Sequence, residues 1–222
     1  MSETINKKIN ESAWDSDSNG KRWEDYDTIL CPDGEVIDMQ KLLDDQNRAK
    51  AALLHLQPFF AAFIGKLRPV YTFRIKTQAT DGVNLFINPQ FTAKLSLTEK
   101  CFVLAHEIMH CVLNHLRRGK GHNPQKSNIA ADYECNITLS DASGCMKLFK
   151  QSTIKNIGGY IDSKYASWGY EKIYADVKDT SNDSQDNSGD SNKAKNNQQL
   201  SDDYVSGWNQ AMEDYKNGKL KI

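Results

Sequence analysis

The chain has 222 residues, of which 39% are hydrophobic and 26% are charged, with a formal net charge of -1 and a pI of about 6.5. This length predicts one globular domain with tails rather than two full domains. The near-neutral balance gives no indication of binding to nucleic acid or to an anionic membrane surface. A mean hydropathy of -0.66 indicates that part of the chain is unstructured.

The cellular compartment is predicted from what the sequence lacks. It has no apolar run of about 18 residues, and residues 1–19 lack the apolar core of a secretory signal. The five cysteines are an odd number, which without an export signal favours reduced thiols. We therefore expect a cytoplasmic protein without a membrane-spanning segment.

The first half of the chain predicts an arm, a helix and a hairpin. Residues 1–35 are polar and are expected to form a loosely ordered arm. Apolar residues at spacings of three and four predict a helix over 39–67, which Pro58 kinks or splits. Two runs rich in β-branched and aromatic residues, 71–76 and 83–88, flank the turn signal Thr80-Asp81-Gly82 and predict a hairpin.

A long helix over 97–118 is predicted next. Ser96 and Glu99 fit a capping box at its start, and Gly119 fits a glycine cap after its end. Further helices are expected over 127–139 and 170–177. The predicted fold class is therefore α+β, mostly helical, with a small sheet or hairpin packed on the long helix.

The domain organisation follows from these patterns. We expect the folded domain to span 36–178. Residues 179–199 contain no large apolar side chain and are expected to be a disordered linker. Residues 200–222 regain some apolar pattern and are expected to form a short C-terminal helix or tail, which could engage a protein partner.

The predicted long helix carries the motif His106-Glu107-Ile108-Met109-His110. At about 100° per residue, the two histidines lie one turn apart on one face, so both imidazoles can reach one zinc ion. Glu107 is offset by one residue and is placed to take a proton from a water at the metal. The surrounding residues are apolar, and a buried helix bears such polar groups at a cost unless they are paired or bind a metal.

A catalytic zinc usually has three protein ligands and one open position. Asp132 is the favoured third ligand, because it lies near the start of the next helix and Asn136 shares its face one turn later. His115 would lie about 140° off the face of His110 unless the helix breaks. The alternatives that stay open are His115, Glu134 and His122. Cys111 and Cys135 flank the candidate ligands, and buried inert thiols are expected there.

Several stretches occur in a characteristic order: Thr80-Asp81-Gly82, Asn88-Pro89-x-Phe91, Ala105-His106-Glu107-x-x-His110 with His115 and Arg118, Asn128-Ile129-Ala130-Ala131-Asp132-x-x-x-Asn136, and Glu171-Lys172-Ile173-Tyr174. In this they resemble the metallopeptidase domains that often precede a von Willebrand factor A-like domain. The resemblance implies a zincin-like fold and zinc-dependent peptide hydrolysis, and it supports Asp132 as third ligand. In place of such a second domain, this sequence continues into the polar stretch 179–199.

The favoured function is a zinc-dependent metallopeptidase acting on a protein or peptide, with Glu107 as general base. The run 83–88 is either an edge strand that binds an extended peptide or an ordinary paired strand, and the two alternatives stay open. Two other hypotheses stay open: a non-catalytic, zinc-stabilised protein-binding module, and metal-dependent hydrolysis of a non-peptide bond. The candidate donors to the oxyanion are Tyr133, His115, Arg117, Arg118 and Tyr165.

Overall fold

The computed structural model describes residues 16, 20–31, 33–141 and 146–178. These residues form an α+β fold, which confirms the predicted class. The α-helices are α1 (Met39–Leu56), α2 (Ala61–Ile64), α3 (Pro89–Lys94), α4 (Leu97–Val112), α5 (His115–Arg118), α6 (Pro124–Leu139), α7 (Gln151–Asn156) and α8 (Tyr170–Asp176). The strands are β1 (Thr28–Leu30), β2 (Val36–Asp38), β3 (Arg68–Tyr71), β4 (Gln78–Thr80) and β5 (Asn84–Ile87). The expected linker at 179–199 and tail at 200–222 lie outside the described residues.

The predicted helix over 39–67 is split at Pro58, which is one of the two expected outcomes, the other being a kink. α1 begins after Asp38, whose side chain accepts a hydrogen bond from the Lys41 amide, and ends at Leu56. Pro58 starts a 3-10 turn that leads into α2. The division follows from the proline ring, which removes a backbone donor and clashes with the preceding turn.

The predicted hairpin forms with a different first strand. The turn at Thr80-Asp81-Gly82 is confirmed, because Gly82 has φ +88° and the Asp81 carboxylate accepts from the amides of Val83 and Asn84. The strand that pairs antiparallel with β5 is β4, whereas the run 71–76 is mostly loop. Its large apolar side chains, Phe73 and Ile75, are buried without strand pairing.

β5 is the central strand of its sheet. The strand order is β3-β5-β4, with β3 parallel and β4 antiparallel to β5. Of the two alternatives for 83–88, the edge strand is therefore wrong and the paired strand is correct, because both edges of β5 are paired within the sheet. β4 is an outer strand and packs against α4, but all three of its residues are buried.

α4 is the central helix of the fold. The capping box of Ser96 and Glu99 is present as predicted, and every residue from Lys100 to His110 is buried. The helix contacts α1, α6, α7 and β4. It ends at Val112 rather than at 118, because Asn114 adopts a left-handed conformation with φ 56° before α5 begins. Asparagine is one of the few non-glycine residues that tolerate this conformation.

Gly119 does not form the predicted left-handed cap, since its φ is -74°. A Cβ at this position would collide with the Ser127 hydroxyl. The glycine therefore permits α5 to approach the start of α6 closely.

Part of the predicted polar arm packs on the core. Trp23, Tyr26 and Ile29 are buried and belong to the same apolar cluster as α1 and α4. The Trp23 ring meets the edge of Phe73 with a centroid separation of 5.9 Å. Within the described ranges, no helix combines the length and apolar character needed to cross a membrane.

Candidate metal centre

His106 and His110 point toward the same space beside α4. They are one helical turn apart, and their Nε2 atoms are separated by 2.9 Å. Both residues are nearly inaccessible to solvent, at 8% exposure each. The predicted convergence of the two imidazoles is therefore present in the fold.

α6 adds a carboxylate to this pair. Asp132 Oδ1 lies 3.3 Å from His110 Nε2 and 3.5 Å from His106 Nε2. The second oxygen, Oδ2, accepts a hydrogen bond of 3.2 Å from the Asn128 side chain. Oδ1 itself is buried and has no hydrogen-bond partner among the described residues. A buried acceptor without a hydrogen bond is costly, so this oxygen is a candidate ligand for a cation.

The spacing of the three donor atoms fits zinc. Tetrahedral bonds of about 2.1 Å place two ligand atoms about 3.4 Å apart. The observed separations of 2.9, 3.3 and 3.5 Å bracket that value. Two imidazole nitrogens and one carboxylate oxygen are also a donor set that zinc accepts in catalytic sites.

The charges at this cluster favour a cation. Burial alone would raise the pKa of Asp132, but its interactions with His106 and His110 outweigh burial and lower that pKa to about 2. Burial, together with the neighbouring histidines, lowers the pKa of His110 to about 4. Burial also opposes the charged form of His106, yet Asp132 and Glu107 raise its pKa overall. The carboxylate is thus charged and attracts positive charge into a dry site.

Asn136 orients the first histidine. It lies one turn after Asp132 on α6, and its Oδ1 is 2.7 Å from His106 Nδ1. The Asn136 amide nitrogen donates to the Tyr160 carbonyl at 2.7 Å, which fixes the direction of the amide. In the neutral ring, His106 Nδ1–H therefore donates to Asn136, and Nε2 has its lone pair toward the cluster.

Cys135 also lies close to the histidines. One ligating atom from each of His106, His110 and Cys135 lies within 4.8 Å of the others. However, the Cys135 sulfur is 3.7 Å from His115 Nδ1, which faces Nδ1 of His110 and not its Nε2. Burial and nearby carboxylates also raise the pKa of this thiol well above its usual range. The thiolate is the form that binds metals, and a bound metal would itself deprotonate the thiol, so Asp132 and Cys135 are both candidate third donors.

A pocket of about 550 Å³, its solvent-open part included, adjoins the candidate ligands. Glu107, which is 1% exposed, lines it beside His106 and Asp132. Its remaining walls are formed by Thr77, Phe91, Phe102, Val103, Asn136 and residues 157–160. The wall at 157–160 packs closely on α7, where a Cβ at Gly159 would lie 2.7 Å from Ile154.

Comparison with known proteins agrees with the geometry. A model of the family described as "putative metallopeptidase domain" matches residues 42–221. The chain belongs to this family. No curated protein and no solved structure matches the chain. The match confirms the predicted metallopeptidase family, whereas the zincin-like fold stays a prediction.

In this putative metallopeptidase domain, the other candidate ligands lie outside the space between the two Nε2 atoms. His115 contacts His110 on its opposite ring nitrogen, with an Nδ1–Nδ1 distance of 3.2 Å. Glu134 pairs with His115 and Arg118. His122 stacks on Tyr174 with a centroid separation of 4.3 Å.

Three of the five candidate oxyanion donors, His115 among them, are engaged elsewhere. Tyr165 donates to Asp176, and Arg118 pairs with Glu134 and Glu171. None of the five candidates lines the pocket, whereas Tyr160 does. Sequence patterns gave no signal for Tyr160, because it lies in an irregular segment whose path depends on α7.

Proposed function

We propose that this domain is a zinc-dependent peptidase in which His106, His110 and Asp132 bind the metal and Glu107 is the general base. One observation carries the proposal: three donor atoms from α4 and α6 converge at 2.9–3.5 Å, with Glu107 beside them in a pocket. Membership of the metallopeptidase family supports the same chemistry.

When bound, zinc would polarise the scissile carbonyl and lower the pKa of a water toward about 7. The protein side chains supply the remaining steps. Glu107 takes the proton of the attacking water and later delivers it to the leaving amine. Asn136 holds the His106 ring, and the low solvent access of the cluster strengthens these electrostatic interactions.

The donor set favours catalysis over a purely structural zinc site. A structural zinc is closed by four protein ligands, whereas a catalytic one has three and an open position. His106, His110 and Asp132 provide three, and the Cys135 sulfur has a contact of its own, 3.7 Å from His115 Nδ1. A buried glutamate beside the ligands has a role in hydrolysis and none in a structural site.

The pocket suggests that the substrate is a protein or peptide with an apolar side chain near the cleaved bond. Phe91, Phe102, Val103 and Ile157 give the pocket apolar walls next to Glu107. Pockets of this kind bind apolar groups and use few polar contacts to orient them. Cleavage sites are therefore expected to be enriched in large aliphatic or aromatic residues.

The test is cleavage of a proteome-derived peptide library by the zinc-loaded full chain, with new termini identified by mass spectrometry. Glu107→Gln should retain zinc and lose about 10²–10⁴-fold in activity, the usual contribution of a general base. Asp44→Asn, the same carboxylate-to-amide change at an exposed position of α1, is the control. Unchanged cleavage activity with Glu107→Gln would remove the general-base assignment. A wild-type chain that binds no zinc would remove the whole proposal.

A further inference from the structure

A third histidine, His115, is buried behind His110. α4 stops at Val112, and the left-handed conformation of Asn114 turns the chain so that His115 folds back under the helix end. His115 is 5% exposed, and its Nδ1 lies 3.2 Å from Nδ1 of His110. The break in the helix thus brings a residue that regular geometry would point away into contact with a candidate ligand.

The outer nitrogen of His115 is also engaged. His115 Nε2 lies 2.7 Å from Oε2 of Glu134, which is itself 8% exposed. Arg118 Nη1 donates to the same oxygen at 3.0 Å and to the Leu113 carbonyl at 3.0 Å. One guanidinium therefore holds both the carboxylate and the end of α4.

The direction of each hydrogen bond follows from the carboxylate. An ionised carboxylate only accepts, so His115 Nε2 must carry the proton that faces Glu134. A neutral His115 then has a bare Nδ1, which accepts from His110 Nδ1–H. The Nε2 atom of His110 is left with its lone pair toward His106 and Asp132.

We propose that His115 and Glu134 are positioning residues that hold His110 in the tautomer whose Nε2 binds the metal. The inference rests on the proposed metal site. Such partners orient the ligating ring and raise its basicity, and their loss typically weakens metal affinity by about 10–100-fold. Asn136 has the equivalent place behind His106, but it acts by a single direct contact.

The test compares three variants of the full chain by zinc competition with a chelator. His115→Phe keeps a buried ring without an acceptor and should weaken zinc binding about 10–100-fold. His115→Asn restores a polar atom close to the place of Nδ1 and should recover part of the affinity. His122→Phe, the same change at a histidine outside the site, should leave the affinity unchanged.

A direct readout is the tautomer of His110 in the zinc-loaded protein, measured by ¹⁵N NMR of labelled histidines. The wild type should show a protonated, slowly exchanging Nδ1, and His115→Phe should lose that protection. A wild-type His110 that carries its proton on Nε2 overturns the inference even if His115→Phe fails to fold. Wild-type zinc affinity in a folded His115→Phe overturns it as well, while a wild type that binds no zinc overturns the metal site itself.

Discussion

Each candidate ligand reaches the site with its other polar atom already bonded. Asn128 donates to Oδ2 of Asp132, Asn136 holds Nδ1 of His106, and His115 faces Nδ1 of His110. Three side chains fixed in this way lose little further rotamer freedom when a metal binds, which favours affinity and a defined geometry.

Asn136→Ala tests how much the contact between Asn136 and His106 contributes to zinc binding. The His106 ring would lose the acceptor for its Nδ1–H, and zinc affinity should fall by about 10–100-fold. Chelator competition measures the change, with Asn156→Ala on the exposed end of α7 as control. Equal affinities for the two variants would show that the contact between Asn136 and His106 is not needed for metal binding.

The third ligand is tested by comparing Asp132→Ala with Cys135→Ala. Removal of Asp132 should weaken zinc binding at least about 100-fold, more than the loss of a supporting contact. Removal of the Cys135 sulfur should change it little, since that thiol contacts His115 Nδ1 and is not one of the three donors of the proposed site. If the cysteine variant loses zinc as fully as the aspartate variant, four protein groups close the site, and a structural zinc becomes the better interpretation.

The residue pattern predicted part of this site for clear physical reasons. His106 and His110 could be placed together because their separation of four residues determines their relative direction on any α-helix. Asp132 and Asn136 were expected to share a face by the same argument. The position of His115 could not be predicted, because regular helix geometry points it away and only the left-handed turn at Asn114 reverses that.

At the scale of elements, local sequence signals predicted where a helix begins better than they predicted which strands pair. The capping box at Ser96 and Glu99 placed the beginning of α4, because that interaction involves only neighbouring residues. α3 was missed, since Pro89 was interpreted as the end of a strand and not as the first residue of a helix capped by Asn88. The central place of β5 depends on its pairing with β3, a contact between distant segments that local patterns do not encode.

α1 and α4 are joined by a partly buried ion pair. Lys100 is 3% exposed, and its ammonium lies 3.0 Å from the Asp45 carboxylate. Asp45 also pairs with the exposed Lys41 at 2.9 Å. Hydrogen bonds from Lys41 and Lys100 lower the pKa of Asp45. Since the pKa is lowered on folding, the stabilisation is present above the unfolded value of about 3.9 and is lost as the pH falls through the lower folded value.

Asp45→Asn would leave the Lys100 ammonium buried without a carboxylate. We expect a loss of roughly 3 kcal/mol in the free energy of unfolding near neutral pH, the low end for a broken buried pair because Asp45 keeps some solvent access. The difference from wild type should begin to shrink below about pH 4, where the Asp45 carboxylate of the unfolded chain takes up a proton, and it should be lost as the pH falls through the lower folded pKa. Urea unfolding near neutral pH and below about pH 4 measures the difference in the free energy of unfolding. As a control, Asp44→Asn at the exposed neighbouring position should stay within about 0.5 kcal/mol of wild type. A loss that does not depend on pH would show that the charge of Asp45 is not what stabilises the pair.

At the scale of the whole molecule, the candidate metal site links two apolar clusters. α4 lies in the main cluster, which also contains Trp23 and Phe60. The first half of α6 packs with Tyr170 and Ile173 of α8 in a separate cluster. A metal held by His106 and His110 from one side and Asp132 from the other would tie these clusters together, so its binding should stabilise the folded chain as a unit.

Zinc should therefore raise the melting temperature. Free zinc at about 100 times its Kd adds about 2.7 kcal/mol, which for a chain of this size corresponds to roughly 5–10 °C. Cysteines of the unfolded chain also bind zinc, which reduces the shift toward the lower figure. Calorimetry with zinc and with a chelator measures it, and the double variant His106→Ala/His110→Ala should show no shift. If that variant gained the same stabilisation, the ion would be acting elsewhere, and the link between α4 and α6 would have to come from side-chain packing alone.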